Sequence, residues 1–552
     1  MKFDEVLRDI GEFGRYQKRI YALLCIPCVS VGSFCMMTIV VLFTPAHRCK
    51  LPNFKNDTYA IQNAYHESLV NVTIPLSSDP TKVYEECQMY RIEGGAEFGG
   101  TLGNHSLATC TEWVYDKSVF FETFTSKANL VCGDSLKTSH IMMMYYFGVF
   151  VGDLILGLLS DKFGRKKTMY IGLVLLLLLA IAVTWAPEFY SFAVLQFLIG
   201  AVAHGSFICL AVLSMEMVGP SKRIWTGMLV QAWFAVGVTY LALVAYLTRS
   251  WQYINISVFA PCVLYLTYWW IIPESPRWLL SKGEKLKAVV IIRKTARINK
   301  AKYPEEIEYG DVSVSADKPI QEGTIWHVFR SPVLLKRFLI LSLNWGVVSM
   351  TYYGVTMNAS NLSGNFFLNF FLMGLAEIPG VFGGMLILDR LGRRWSNGGS
   401  MILGGIACLA TIFPVLFGND NLHGLTTFLA FLGKMSASAA FAIVYMFTAE
   451  LLPTVVRTAS MGACSCSARI GAMLAPYIAK SGELIGGRFG SVEPLLIFGA
   501  LSIIAGLLNF LLPETNKQKL PDTIEEGEVF GRRNISKGNG KEMIIKNPVE
   551  NT

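Results

Sequence analysis

Twelve long runs of apolar residues, most without a single charge, constrain this chain more than any other feature. Ile20 to Ala46, Trp225 to Leu247 and Trp251 to Ile272 contain no Asp, Glu, Lys or Arg. About 20 apolar residues wound as a helix cross a bilayer core of roughly 30 Å. In lipid the backbone must satisfy its own hydrogen bonds, which leaves helices or closed barrels. Barrel strands alternate apolar and polar residues, and these runs do not. They lie near 20–43, 139–160, 168–186, 190–215, 225–247, 251–272, 338–357, 366–388, 396–418, 424–448, 458–480 and 494–512. The 552-residue chain is 16% charged, against about 25% in soluble domains. A soluble globule and a disordered chain are excluded. The expected fold is an all-α polytopic membrane protein with 12 transmembrane helices.

Lys and Arg set the expected sidedness, because loops rich in them stay cytoplasmic. They crowd the first 19 residues (Lys2, Arg8, Arg15, Lys18, Arg19), the 2–3 loop (Lys162, Arg165, Lys166, Lys167), the 8–9 loop (Arg390, Arg393, Arg394) and the stretch 274–337. The short 3–4, 7–8 and 9–10 loops hold none. Both termini are expected to be cytoplasmic. The net charge of +8 then reads as an inner face meeting anionic lipid, and nucleic-acid binding is not supported. The first run is long enough to remain as a span rather than be cleaved as a signal peptide.

Residues 44–138 form a long hydrophilic insert on the predicted outer side. It holds Cys49, Cys87, Cys110 and Cys132. An even count in an oxidising compartment implies two disulfides, with three connectivities open. Asn56, Asn71 and Asn104 head Asn-x-Ser/Thr sequons in the same insert and are candidate glycosylation sites. The other eight cysteines lie in or beside spans and show no zinc spacing, so no metal or cofactor is expected.

The chain repeats itself. Asp161-Lys162-Phe163-Gly164-Arg165-Lys166 closes run 2, and Asp389-Arg390-Leu391-Gly392-Arg393-Arg394 closes run 8 (161 to 389, an offset of 228). Glu216 with Arg223 follows run 4, and Glu450 with Arg457 follows run 10, an offset of 234. Pro273-Glu274-Ser275 ends run 6 and Pro513-Glu514-Thr515 ends run 12, an offset of 240. Three ordered signatures at nearly one spacing imply two six-helix halves in parallel, a design of secondary transporters that places the binding site at mid-membrane between the halves. Asp161, Arg165, Glu216, Arg223, Glu274 and Arg277 can form an ion-pair network in the first half. Asp389, Arg393, Glu450, Arg457 and Glu514 can do so in the second. Such clusters can latch helix ends when the cavity faces outward and part when it faces inward; plain packing of the inner face is the competing reading. The domain plan is a 1–19 tail, a bundle at 20–272 carrying the insert, linker helices at 273–337, a bundle at 338–512 and a tail at 513–552.

These motifs resemble a known family. Gly157-Leu158-Leu159-Ser160-Asp161-Lys162-Phe163-Gly164-Arg165-Lys166 resembles the signature loop of the major facilitator superfamily. The Cys-containing insert, Pro273-Glu274-Ser275-Pro276-Arg277-Trp278, Ala449-Glu450-Leu451-Leu452-Pro453, Glu377-Ile378-Pro379 and Gly11-Glu12-Phe13-Gly14 resemble the organic cation/carnitine/anion transporters of solute carrier family 22, with the insect organic cation transporter-like branch nearest. The resemblance covers the chain to about residue 525. It implies the major facilitator fold and a plasma-membrane carrier rather than an enzyme. The expected cargo is a small organic cation or zwitterion, with organic-anion exchange as the alternative.

Ionisable groups inside spans are costly, about 2.5–3.5 kcal/mol on insertion scales, and usually face a cavity or a partner. Asp153, His204, Glu377, Lys434 and Arg469 qualify. By resemblance Glu377 matches the acid that attracts cations, and Trp345, Tyr352, Phe207 and Gln231 match lining positions. Tyr445 on span 10 joins the candidate substrate-binding set. Aromatic faces attract ammonium groups by about 0.5–2 kcal/mol each. Arg469 stands where the carnitine-like and anion-carrying branches have Arg, and a guanidinium can grip a carboxylate with two parallel hydrogen bonds. Glu377 with aromatics for an ammonium and Arg469 for a carboxylate would suit a betaine. The rival readings pair Glu377 with Lys434, or Arg469 with Glu377, as fixed structure. Asp153 departs from the family's small residue, and it can contact substrate, bind a coupling proton or sodium, or pair within the bundle. His204 stands where cation-carrying relatives often have Lys. No Gly-x4-Gly-Lys-[Ser/Thr] loop is present, so ATP is not the direct drive. A cation gains about 2.3 kcal/mol per 100 mV; a zwitterion gains nothing and needs a coupled ion, sodium or proton, or a downhill gradient. No sequence feature sets the oligomeric state.

Overall fold

The computed structural model of the protein describes residues 3–52, 54–77, 82–90, 107–301, 326–360, 362, 364–417, 422–518 and 520–531. Twelve long helices follow the twelve apolar runs. They are α1 (Arg15–Val41), α2 (Leu136–Phe163), α3 (Arg165–Thr184), α4 (Phe189–Glu216), α5 (Arg223–Thr248), α6 (Trp251–Ile271), α7 (Pro332–Met357), α8 (Phe366–Leu391), α9 (Arg393–Leu416), α10 (His423–Leu451), α11 (Arg457–Ile485) and α12 (Gly487–Asn509). Eleven are long and apolar enough to cross a membrane by length and composition. The exception is α11, whose 29 residues include Arg469, Lys480 and Glu483.

Several helices outrun their apolar cores. α1 begins at Arg15 and takes in Lys18 and Arg19, because a hydrogen-bond ladder continues into water wherever the polar side chains can reach it. Local chemistry sets other ends. Ser331 accepts a hydrogen bond from the Leu334 amide and Pro332 opens α7, the favoured cap followed by a residue whose missing N–H costs nothing there. In α6 the α-helix stops at Phe259 and a 3₁₀ stretch covers Ala260–Thr267, where Pro261 removes a donor from the ladder. Gly164 and Gly392 sit at equivalent points of the repeat with φ of 112° and 87°, a backbone region open to glycine and strained for other residues.

The packing repeats as the sequence does. In the first half α1 packs on α5, α2 on α4, α3 on α4 and on α6. In the second, α7 packs on α11, α8 on α10, α9 on α10 and on α12. The halves meet where α2 touches α11 and where α5 touches α8, which are again equivalent pairs. This is the pattern expected of two copies of one six-helix unit.

The insert joins α1 to α2 at one end of the bundle, here the loop face. Strand β1 (His47–Cys49) pairs antiparallel with β4 (Trp113–Tyr115), and β2 (Gln88–Tyr90) with β3 (Leu107–Thr109). The open connectivity resolves to Cys49–Cys110 and Cys87–Cys132, each with Cα atoms 5.6 Å apart. Asn56 and Asn71 are exposed, and Asn104 lies outside the described residues.

The opposite end, the tail face, carries the first and last helices of the described residues. The segment expected as a polar tail includes a helix, Phe3–Asp9, whose Phe3, Val6 and Leu7 bury against Ile292 and Ala296 of the linker helix Lys285–Asn299. Beyond α12, Ile524–Val529 is helical, and the Arg337 guanidinium donates to the carbonyls of Gly527 and Phe530.

Candidate functional site

The charged groups at mid-depth form two clusters. The first lies within the second half. Lys434 Nζ on α10 stands 2.9 Å from Glu377 on α8, donates to the Tyr352 carbonyl at 3.2 Å, and lies 3.1 Å from the Tyr352 ring centroid. The Lys434 side chain is wholly buried. An ammonium so placed already fills the role a cationic substrate would take, so the pairing of Glu377 with Lys434 is the reading this geometry supports.

The second cluster crosses the halves. Arg469 on α11 stands 2.9 Å from Asp153 on α2, and His204 Nδ1 on α4 lies 2.7 Å from the other Asp153 oxygen. Pairing of Arg469 with Glu377 is not what is found: the nearer acid is Asp153. A close helix approach within each half flanks the pair. Gly152, next to Asp153, lies against the Ala201 backbone of α4, and Gly471, two residues from Arg469, against the Gly346 carbonyl of α7. A Cβ at either position would collide, and small residues at helix contacts are how membrane bundles bring backbones together.

Aromatic rings run between the clusters. Trp345 packs 4.2 Å from Tyr445, Tyr445 5.6 Å from Phe441, Phe441 5.6 Å from Tyr352, and Tyr352 5.0 Å from Tyr353. Tyr353 meets Tyr146 of the first half at 4.7 Å. Trp345 is buried and donates to Thr448 Oγ1 at 2.9 Å. Phe207 is half-buried between His204 and Phe234, and Gln231 is half-buried on α5. Four candidates (Trp345, Tyr352, Tyr445 and Glu377) thus belong to one wall on the second half. Phe207 stands beside the cross-half cluster. Tyr146 and Tyr353 were missed, since a tyrosine at helical spacing reads equally well as packing.

The tail-face charges pair within halves. Arg165 pairs with Asp161 and, at 3.4 Å, with Glu216, while Glu274 accepts the Lys166 amide. Arg393 pairs with Glu450 at 2.9 Å, and Glu514 accepts the Arg393 and Arg394 amides. Arg223 leaves the expected network and pairs with Asp4 at 2.6 Å; Arg277 lies within electrostatic reach of the same acid. Burial pushes the Asp4 carboxyl up, but Arg223, Arg277 and Arg8 overrule it and hold it below its usual value. Arg457 Nε and one terminal nitrogen have no hydrogen-bond partner among the described residues, and the Asp389 side chain lies outside them. Contacts joining the halves lie instead at mid-depth and toward the loop face: Phe43–Phe366, Phe120–Phe367, Tyr246–Phe367, Ser139 to the Pro476 carbonyl, and Asp153–Arg469, the deepest of these.

The sugar (and other) transporter family model matches residues 95–525. The chain is 38% identical to an organic cation transporter protein of Drosophila melanogaster, over 97% of this chain and 96% of the relative. It is 32% identical to the human organic cation/carnitine transporter 2, over 95% and 93%. The chain belongs to solute carrier family 22 of the major facilitator superfamily. This family 22 member is therefore a multi-pass membrane transporter. Its fold is similar to that of the proton:xylose symporter XylE bound to a deoxyglucose derivative, with a TM-score of 0.57 at 14% identity over 94% of this chain and 99% of that one. A partially occluded inward-open XylE structure gives 0.56 at 15% identity, over 92% and 100%.

Proposed function

We propose that the chain is a plasma-membrane secondary transporter that carries small organic cations or zwitterions by alternating access, with the loop face outside and both termini cytoplasmic. The observation that carries this reading is the aromatic wall Trp345–Tyr445–Phe441–Tyr352 at mid-depth, whose Tyr352 meets the Lys434–Glu377 pair and whose Tyr445 lies within electrostatic reach of the Asp153–Arg469 bridge between the halves. Rings of this kind suit ammonium groups. The relatives, named as organic cation and organic cation/carnitine transporters, support the same cargo. Glu377 sets the local potential through its pair with Lys434 rather than as a bare acid, and Arg469 is the group that meets a substrate carboxylate.

In this state the loop face is held by the Phe43, Phe120, Tyr246, Phe366 and Phe367 contacts. Opening outward requires those rings to part. The tail-face ion pairs lie inside each half and move with it, so they brace rigid bodies. Replacing Arg165 should then lower thermal stability and surface expression more than turnover per molecule, whereas a latch would show the reverse. Glycans on Asn56, Asn71 and Asn104 belong to the outer side.

Uptake of tetraethylammonium, carnitine and an aryl carboxylate into proteoliposomes, at two voltages and with and without sodium, tests the reading. Uptake of the first or second supports it; uptake of the aryl carboxylate alone moves the chain to anion exchange.

A further inference from the structure

The cross-half cluster has unspent hydrogen-bonding capacity. The Arg469–Asp153 contact is close, yet Arg469 Nε and Asp153 Oδ2 have no aligned hydrogen-bond partner among the described residues, and both side chains are at least 88% buried. The other Asp153 oxygen is tied to His204 Nδ1. An ionised carboxylate only accepts hydrogen bonds. Nδ1 therefore carries a hydrogen toward Asp153, and Nε2 is left as the position that takes up a further proton.

The groups facing this cluster do not compete for that role. Cys466 and Arg469 on α11, Tyr445 on α10, Tyr353 on α7 and Cys35 on α1 lie within electrostatic reach of it. The thiols and phenols are neutral near pH 7, and the guanidinium keeps its charge throughout. With His204 neutral, Asp153 and Arg469 sum to zero charge and the bridge holds. A proton on His204 makes the cluster cationic and gives Asp153 a second full positive partner on its own half. Arg469, on the other half, then loses its exclusive claim. Acid, base and imidazole chains inside membrane bundles are the usual parts of proton pathways.

We infer that Asp153 and His204 form a proton-binding site whose occupancy loosens the Asp153–Arg469 bridge between the halves, so that transport by this chain is proton-linked. The proton arrives on His204 from one side and leaves to the other as the halves rock, with no other atom exchanged. Release of Arg469 also frees it for a substrate carboxylate, and in this respect the inference rests on the transport reading above.

The test uses the full chain in liposomes. Of the free cysteines, Cys466 is half-buried while the other seven are buried, and it lies one turn from Arg469. Alkylation by a permeant maleimide, with Cys466→Ser as the blank, reports opening of the cluster. Acid by itself slows alkylation about 100-fold over two pH units by removing thiolate, so each rate is divided by that of Cys466 in the denatured chain at the same pH, and a rise in the corrected rate marks a conformational change. Between about pH 7.5 and about pH 5.5 the corrected wild-type rate should rise roughly tenfold, the response to one unit of differential proton affinity. Asp153→Asn should label fast at both values. His204→Gln, which keeps the Asp153–Arg469 charges, should label slowly at both. An inward proton gradient at clamped voltage should raise carnitine uptake in the wild type and in neither variant. No acid response in the wild type, or one retained in both variants, would overturn the inference. Uptake without any pH dependence would overturn it and leave the transport reading standing. A Cys466 response that needs both residues, with none of the three probes carried, would sink the transport reading and leave the proton site.

Discussion

Two Arg–Asp–His triads of the same composition stand in opposite settings among the described residues. In the insert, Arg48 meets Asp57 at 2.6 Å and Asp57 meets His66 at 3.0 Å. In the membrane, Arg469 meets Asp153 at 2.9 Å and Asp153 meets His204 at 2.7 Å. In the insert triad the carboxylate is saturated, and Arg48 Nε is the one polar atom without a hydrogen-bond partner among the described residues. Both Asp57 oxygens accept from Arg48, one also from the Leu51 amide, and Arg48 donates further to the carbonyls of Cys49 and Thr58. Its members lie within nineteen residues of chain, and Phe54 stacks on His66 at 5.0 Å. The membrane triad draws on three helices and both halves and leaves two polar atoms unaligned. The same chemistry is a staple where every lone pair is used and a hinge where some are not.

The largest expected effect falls on the staple. Arg48→Met leaves Asp57 buried without its cation, a loss of about 3–5 kcal/mol for a broken buried pair. The insert should unfold locally, and thermal unfolding followed by loss of native disulfide protection should shift strongly downward. Whatever properly folded protein survives should transport at the normal rate per molecule. A variant that folds normally but transports poorly would break the contrast, since the insert triad would then serve transport.

Arg469→Ala comes next. It removes both the bridge and the proposed carboxylate ligand, and loss of a charged hydrogen-bond partner of about 1.5–3 kcal/mol corresponds to roughly 10–150-fold in zwitterion affinity. Tetraethylammonium uptake should change little by comparison. Equal loss for both substrates, measured as Kd by scintillation proximity, would mean that Arg469 is purely structural. Asp153→Asn paired with Arg469→Gln should restore thermal stability lost in either single change without restoring zwitterion selectivity.

How far the chain could be read in advance follows from what each feature depends on. The helices were legible because lipid leaves the backbone one solution, and α11 was legible despite Arg469, Lys480 and Glu483 because its small and apolar residues still run for six turns. The duplication was legible because Asp161, Glu216 and Glu274 each have a twin at a near-constant offset. The disulfide pairing was not, since four cysteines permit three answers until a fold chooses. Arg469 was recognised as important, but its partner was not. Which of two acids it meets depends on helix rotation, which no local pattern encodes. Arg223 escaped for the same reason: its acid, Asp4, lies 219 residues away on an arm that the sequence presents as a polar tail.

A smaller effect separates wall from packing. Trp345 is buried, with its indole donating to Thr448 Oγ1. Trp345→Phe keeps the ring against Tyr445 and strips one hydrogen bond, a change of about 0.5–1.5 kcal/mol in stability. If Trp345 only packs, tetraethylammonium Kd should stay put while the melting temperature falls by a few degrees. A several-fold weaker Kd at unchanged melting temperature would place the indole in contact with the substrate and extend the site toward the tail face.

The smallest expected effect is an absence of response, and it draws the sharpest line between the triads. Burial alone would raise the Asp57 carboxyl, but Arg48, the Leu51 amide and His66 outweigh it and hold it below its usual value. A depressed carboxyl contributes stability that is fully present above its unfolded value of about 4 and is lost only as the pH falls through the lower folded value. Acidification to about pH 5.5 should therefore leave Asp57 ionised and its bridge to Arg48 intact, even while His204 takes up its proton. Limited proteolysis of the insert at pH 7.5 and at pH 5.5, with an acid-tolerant protease and equal units of activity, should give the same cleavage rate, while Cys466 labelling in the same sample, corrected for the loss of thiolate, accelerates. If the insert loosens over that interval as well, His66 rather than Asp57 governs the staple, and both triads would be sensors with only their solvent to tell them apart.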